Sequence, residues 1–169
     1  GSSMIKAQHF ENYIVRPTLA LLGTVNPKLS TEASVNLLLG TAAQETDISY
    51  WLRQQGGPGL GAFSIEPATR DDIVNRYLQR PENSELYAKI QMLVRRGYYI
   101  DTEEELITNA MLGCAIARIR YWYVPEALPD HDDLLALGEY WDKHYNCNEE
   151  FGTPQEFVES WNKFVKRDL

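Results

Sequence analysis

Glu45 ends a segment rich in Leu and Ala, Val35-Asn36-Leu37-Leu38-Leu39-Gly40-Thr41-Ala42-Ala43-Gln44-Glu45. Its place in that segment defines the chemistry open to it. A carboxyl at the C-terminal end of an apolar helix meets both desolvation and the negative end of the helix dipole, and each disfavours the ionised form. Held protonated near neutral pH, such a group is a general acid able to protonate a leaving oxygen, so glycoside cleavage is the first chemistry to consider. The plainer reading is a helix-end carboxylate in water or paired with Arg118 or Arg120; an ion pair would depress its pKa and remove its use as an acid.

A second carboxylate would decide the mechanism. Retaining glycosidases hold two carboxyls about 5 Å apart and inverting ones about 6.5–9.5 Å apart. Asp47 and Glu66 are the available seconds. On a continued helix, Asp47 lies two positions past Glu45 and aims elsewhere, whereas Glu66 before Pro67 favours the positive end of the helix that it precedes. Tyr50, Trp51, Phe63, Tyr121, Trp122 and Tyr140 are able to stack on sugar faces, although aromatics are more often core; Tyr50 and Trp51, in a loop, are the expected groove residues, and Tyr121 and Trp122 on the expected central helix read as core. His9, His131 and His144 are scattered, and with Cys114 and Cys147 they make no metal-ligand spacing, so no metal and no cofactor is expected. Gly56-Gly57-Pro58-Gly59-Leu60-Gly61 is turn chemistry rather than a phosphate cradle, since no strand precedes it and no Lys follows at the required place.

The elements that would position these groups are helical. Phe10, Tyr13, Ile14, Leu19 and Leu22 recur at helical spacing, with Pro17 set to kink or split the helix. Ser30 or Thr31 can cap a helix ending near Glu45, and Pro67 suits the first turn of another that Arg80-Pro81 stops. A helix from Asn83 or Ser84 is expected to be capped by Gly97. Thr102 and Glu105 form a capping-box pattern for a helix from Glu103 to about Tyr123, whose small residues make it the expected centre of the core. Leu134 to Tyr145 and Thr153-Pro154-Gln155-Glu156 onward mark the last two. The expectation is an all-α domain of about seven helices over residues 4–169, with a small irregular or β-like lobe near residues 47–65. Gly1-Ser2-Ser3 before Met4 reads as an expression-tag remnant.

Composition narrows the partners. With 169 residues, 44% hydrophobic, the chain can bury one core without a second domain. Two cysteines cannot make a disulfide framework. A net charge of −8 argues against nucleic acid, because phosphate neutralisation needs clustered Lys and Arg. It also gives no electrostatic steering toward an anionic cell wall. No apolar run approaches the roughly 20 residues of a membrane span, and no basic-then-apolar signal pattern opens the chain. Synthesis in the cytoplasm, with virion association or delivery to the wall by another factor, is the expectation.

Gln44-Glu45-Thr46, followed after a loop by Gly61-Ala62-Phe63-Ser64-Ile65-Glu66-Pro67-Ala68-Thr69, resembles the lysozyme-like superfamily of lytic transglycosylases and goose-type lysozymes. In that superfamily a helix ends in a catalytic Glu followed by Ser, and a Gly-Leu-Met-Gln-Ile-x-Pro-Ala-Thr run lines the saccharide groove. Leu137-Gly138-Glu139-Tyr140 stands where the family's Ala-x-x-Tyr-Asn-Ala-Gly segment would bring its Tyr near the acid. The stretch from Tyr140 to Asn146 resembles phage-encoded proteins that carry such a domain. Thr46 replaces the family's Ser, Ser64 replaces a Gln that contacts sugar, and Trp141 replaces the Asn. The resemblance implies a peptidoglycan glycosidase with Glu45 as acid, Thr46 and Tyr140 positioning it, and Gly61 and Ser64 lining the groove. Its partners would be glycan strands and phage virion or lysis proteins. The other reading kept open is an inactive lysozyme-like virion or scaffold protein.

Overall fold

The computed structural model describes residues 5–48, 52–54, 56–146, 152–167 and 169, and its architecture is all-α. Helix α1 starts at Ala7–Phe10, passes through a π-helical turn at Glu11–Val15 and continues as Arg16–Gly23. Pro17 therefore neither splits nor ends it. A proline ring clashes with the carbonyl four residues earlier and cannot donate to it; the wider π turn just before Pro17 relieves that conflict. Thr18 Oγ1 donates to the Ile14 carbonyl at 2.7 Å.

Helix α2, Glu32–Thr46, is the axis of the core: every residue from Ser34 to Ala43 is buried. Its start is fixed by a capping box, with Ser34 N donating to Thr31 Oγ1 at 3.1 Å and Thr31 N donating to Ser34 Oγ at 2.9 Å. Helix α3 joins Pro67–Asp72 to a π-helical turn at Ile73–Tyr77, and α4 spans Ser84–Gln91. Gly97, at φ +88, lies beyond α4 in a loop and does not cap it.

The expected helix from Glu103 to Tyr123 is two helices, α5 (Glu103–Thr108) and α6 (Ala110–Trp122). Asn109 is the break. At φ −102, ψ 88, its Oδ1 accepts from Leu112 N at 3.0 Å and its Nδ2 donates to the Leu93 carbonyl at 2.7 Å. An Asn side chain that supplies a cap competes with helical continuation. Glu105 does not complete a capping box with Thr102: its buried carboxylate accepts from Arg95 N at 2.9 Å and from Asn109 Nδ2 at 2.9 Å, tying down residues 93–95 instead. The central position expected for 103–123 is thus shared by α2 and the shorter α6.

Helix α7, Leu134–His144, is capped by Asp133, whose Oδ1 accepts from Ala136 N at 3.1 Å. Helix α8 runs Pro154–Ser160 and on through Trp161–Val165, with Thr153 Oγ1 accepting from Glu156 N at 3.2 Å. These make eight helices among the described residues, one more than expected. No described helix is long and apolar enough to cross a membrane.

Between α2 and α3 lies the small irregular lobe. Bridges pair Arg53 with Leu60 and Leu60 with Ile65, and Gly61 N donates to the Leu52 carbonyl at 2.6 Å. Gly61 holds φ +75, and a Cβ there would lie 2.1 Å from the Leu106 carbonyl oxygen. Backbone conformation and backbone contact both demand glycine. Gly61→Ala should therefore cost about 2–4 kcal/mol of stability, measured by urea denaturation; a loss under about 0.5 kcal/mol would show that the lobe does not press on α5 as described.

Candidate active site

The last turn of α2 carries Glu45, and the chain then reverses. Asp47 and Ile48 both take left-handed backbone, at φ 52 and φ 55. Asp47 N donates to the Ala43 carbonyl at 3.0 Å and Ile48 N to the Ala42 carbonyl at 3.1 Å, so the turn satisfies the ends of α2. A buried β-branched residue at positive φ is strained. Ile48 is held there by complete burial of its side chain.

Glu45 opens on a cavity of about 190 Å³ lined also by Gln54, Gly56, Gly57, Pro58, Ser64, Glu66, Arg120, Tyr145 and Asn146. Glu45 Oε2 accepts a hydrogen bond from Trp141 Nε1 at 3.0 Å. Burial pushes the carboxyl up to about 7, against the opposing pull of the Trp141 hydrogen bond and the Arg120 charge. Among the described ion pairs, none joins Glu45 to Arg118 or Arg120. Arg118 Nε donates to the Leu29 carbonyl at 2.8 Å, toward the other end of α2, and Arg120 Nη2 donates to the Tyr145 carbonyl at 2.8 Å. At neutral pH this carboxyl exists in both protonation states, which suits a group that gives up a proton and later takes one back.

The other proposed site residues divide. Ser64 and Glu66 meet Glu45 in the cavity, Ser64 at φ 51 and Glu66 at the N-cap of α3. Gly61 shapes the lobe beneath them. Thr46 Oγ1 lies 2.6 Å from the Ala62 carbonyl and 3.1 Å from the Ala42 carbonyl, so the hydroxyl beside the acid fastens α2 to the lobe. Asp47 is outside the cavity lining; burial raises its pKa and the Lys163 charge opposes the rise. Tyr50 and Trp51 lie outside the described residues.

Tyr140 is not beside the acid. Its hydroxyl donates to the Glu126 carbonyl at 2.8 Å and its ring meets His144 edge-on at 4.6 Å. One residue further along α7 turns the side chain by about 100°, so Trp141 is the residue that faces Glu45. Tyr145, four positions on, shares that face. Its hydroxyl donates to the Phe63 carbonyl at 2.6 Å, and its ring stacks on Tyr121 at 5.0 Å. Tyr121 is in turn bonded to Thr41 at 2.8 Å. Trp141, Tyr145, Gln54 and Asn146 are the site residues that motif comparison passes over. The i, i+4 pair of aromatics on α7 is the pattern that could have pointed to two of them.

Gln54 closes the Gly-rich turn over the cavity, its N donating to the Gly59 carbonyl at 2.8 Å and its Oε1 accepting from Gly59 N at 2.9 Å. Among the described residues no group of three or more His, Cys, Asp or Glu is placed to hold a metal ion. Comparison of the chain with protein-family models, with curated proteins and with solved structures finds no match.

Two consequences of the raised acid can be measured. A carboxyl near 7 when folded, and in the ordinary range near 4.5 when unfolded, binds its proton more tightly in the folded state, so stability falls as pH rises from about 4.5 through 7. Glu45→Gln removes that loss. The variant should match the wild type near pH 4 and exceed it by about 1–3 kcal/mol at pH 8, read from urea denaturation at both pH values; equal stability at pH 8 would mean that the carboxyl is not desolvated. Trp141→Phe removes a donor that favours the ionised form, so the Glu45 carboxyl, followed by carbon NMR, should titrate higher than in the wild type. A lower titration point would mean that the indole does not serve the carboxylate.

Proposed function

We propose that the chain is a lysozyme-like glycosidase acting on the β-1,4 linkages of peptidoglycan, with Glu45 as the general acid. What carries this reading is a buried carboxyl brought to about 7 inside a cavity that also presents Ser64 and Glu66. Glu45 protonates the glycosidic oxygen as the bond to the sugar carbon breaks. The Trp141 N–H then stabilises the carboxylate left behind, at 3.0 Å from Oε2. The residue can recover its proton from water, or from the sugar's own hydroxyl as that hydroxyl closes on the same carbon to give an anhydro product. Glu66, in the same cavity, is the remaining candidate for a second carboxylate; Asp47 has lost that claim by its position.

The size of the cavity favours a second reading. At about 190 Å³ it falls below the roughly 300–1,000 Å³ of sites that enclose a ligand. A protein that keeps the lysozyme-like arrangement as a virion structural or scaffold part, without turnover, fits a space of that size beside Glu45.

Purified peptidoglycan separates the two. Wild-type protein should release muropeptides, with activity falling as pH rises through about 7 and the acid loses its proton. Glu45→Gln should reduce release by at least about 100-fold. Absence of fragments from the wild type across a range of pH and salt would leave the scaffold reading, and anhydro-ended rather than reducing-ended products would show which acceptor takes the sugar carbon.

A further inference from the structure

The chain has six lysines, and three of them line one cavity. Lys6 joins it from the start of α1, and Lys163 and Lys166 join it from the end of α8. The cavity has a volume of about 470 Å³; the buried residues Ala7, Phe164 and Val165 give it an apolar lining, with Gln8 beside them. Lys163 Nζ lies over the Phe164 ring, 5.2 Å from its centroid, so one ammonium is held against the apolar part.

A neighbouring cavity of about 360 Å³ shares Ala7, Gln8, Val165 and Lys166 with the first and adds Glu11 and Arg167. The two linings together hold four cations, Lys6, Lys163, Lys166 and Arg167, and one acid, Glu11, in a chain with 24 acids against 16 Lys and Arg. Glu11 is paired with Arg16 at 2.7 Å and with Arg167, and Arg167 also donates to Asn36. Three ammonium groups are left that no described ion pair includes. Asp47 feels the Lys163 charge without forming a described ion pair with it.

The helix dipole accounts for part of this arrangement. Lys163 and Lys166 stand at the C-terminal end of α8, where positive charge is favoured. Lys6 stands at the N-cap of α1, where positive charge is disfavoured and its side chain makes no cap bond. Like charges gathered around one space also repel one another. An anion in that space offsets both costs. Its kind follows from the donors: a planar carboxylate suits the parallel N–H groups of a free guanidinium, and the one Arg here is engaged, whereas ammonium point charges on flexible stems suit phosphate. A phosphate monoester carries nearly two negative charges at neutral pH. The volume falls within the roughly 300–1,000 Å³ of sites that enclose a small molecule, which leaves room for the body of an ester.

We propose that the cavity between the start of α1 and the end of α8 binds a small phosphate monoester, its phosphoryl oxygens held by Lys6, Lys163 and Lys166 and its apolar body packed on Phe164 and Val165.

Proton–nitrogen NMR of the full chain with phenyl phosphate, inorganic phosphate and benzoate, at one neutral pH and one ionic strength, tests the proposal. Phenyl phosphate should shift the amide signals of Lys6, Gln8, Phe164 and Val165 saturably. Inorganic phosphate, which lacks the body, and benzoate, which lacks the second charge, should each bind at least about fivefold more weakly. Absence of a saturable shift with phenyl phosphate would overturn the proposal. Benzoate binding as tightly would mean a site for any anion, and inorganic phosphate binding as tightly would mean that the body is not held; either result also overturns it. Lys6→Gln, Lys163→Gln and Lys166→Gln combined alter exposed side chains, so the variant should fold, and it should bind phenyl phosphate at least about tenfold more weakly. Lys28→Gln should bind it as the wild type does. A triple variant with wild-type affinity, or an equal loss in Lys28→Gln, would overturn the assignment to these three lysines.

Discussion

The bond from Trp141 Nε1 to Glu45 Oε2 is the constraint on which the rest of the site depends, because it is where α7 meets the last turn of α2. An indole nitrogen can only donate, and a buried carboxyl with a folded pKa near 7 presents an acceptor in either protonation state. Close helix packing brings the two within reach. Gly40 on α2 has no room for a Cβ, which would lie 2.1 Å from the Phe157 ring, and a Cβ on Gly138 of α7 would lie 2.8 Å from the Pro154 carbonyl. Helix α8 therefore sits directly against both, and Phe157 packs on Trp141 with ring centroids 5.8 Å apart. Small residues on two helices set the depth of one aromatic residue, and that residue sets the acid.

The second support runs through aromatic hydroxyls. Thr41 on α2, Tyr121 on α6 and Tyr145 at the end of α7 form a line that finishes at the Phe63 carbonyl in the lobe. Desolvation keeps the buried Tyr121 hydroxyl well above its ordinary pKa, so it stays protonated and available to Thr41 at any pH at which the fold survives. Thr46 makes the parallel connection from α2 to Ala62. The lobe is thereby tied to the helical body by a Tyr and a Thr, and isolated bridges and short-range backbone bonds join its described residues to one another.

The helical architecture and the position of Glu45 were legible because periodicity, caps and glycine are local signals. Thr31 and Thr153 cap where the sequence pattern expects them to, and the Gly-rich segment forms part of the lobe. What failed to show was competition between local and distant partners. Thr102 and Glu105 match a capping box, but Glu105 is buried and finds stronger partners at Arg95 and Asn109. Asn109 looks like an ordinary helical position until Leu93 supplies a carbonyl for its amide. Tyr140 and Trp141 differ by one residue in sequence and by about 100° around α7, a choice that motif alignment made one way and packing made the other. The left-handed turn at Asp47 and Ile48 was hidden for a different reason, since nothing in a β-branched residue announces positive φ.

The energetic sign of Glu45 bears on what it is for. A carboxyl desolvated without an ion pair works against folding at neutral pH, whereas an amide of the same shape could accept from Trp141 without that cost. A purely structural role is therefore served better by Gln than by Glu at this position. The same holds for the strained backbone just beyond it, where an isoleucine occupies a conformation that glycine or asparagine would hold more cheaply. Strained backbone within three residues of a desolvated acid is a combination that proton-transfer sites share, and it supports the proposed role of Glu45. The small volume of the cavity weighs the other way, since sites that enclose a ligand are larger.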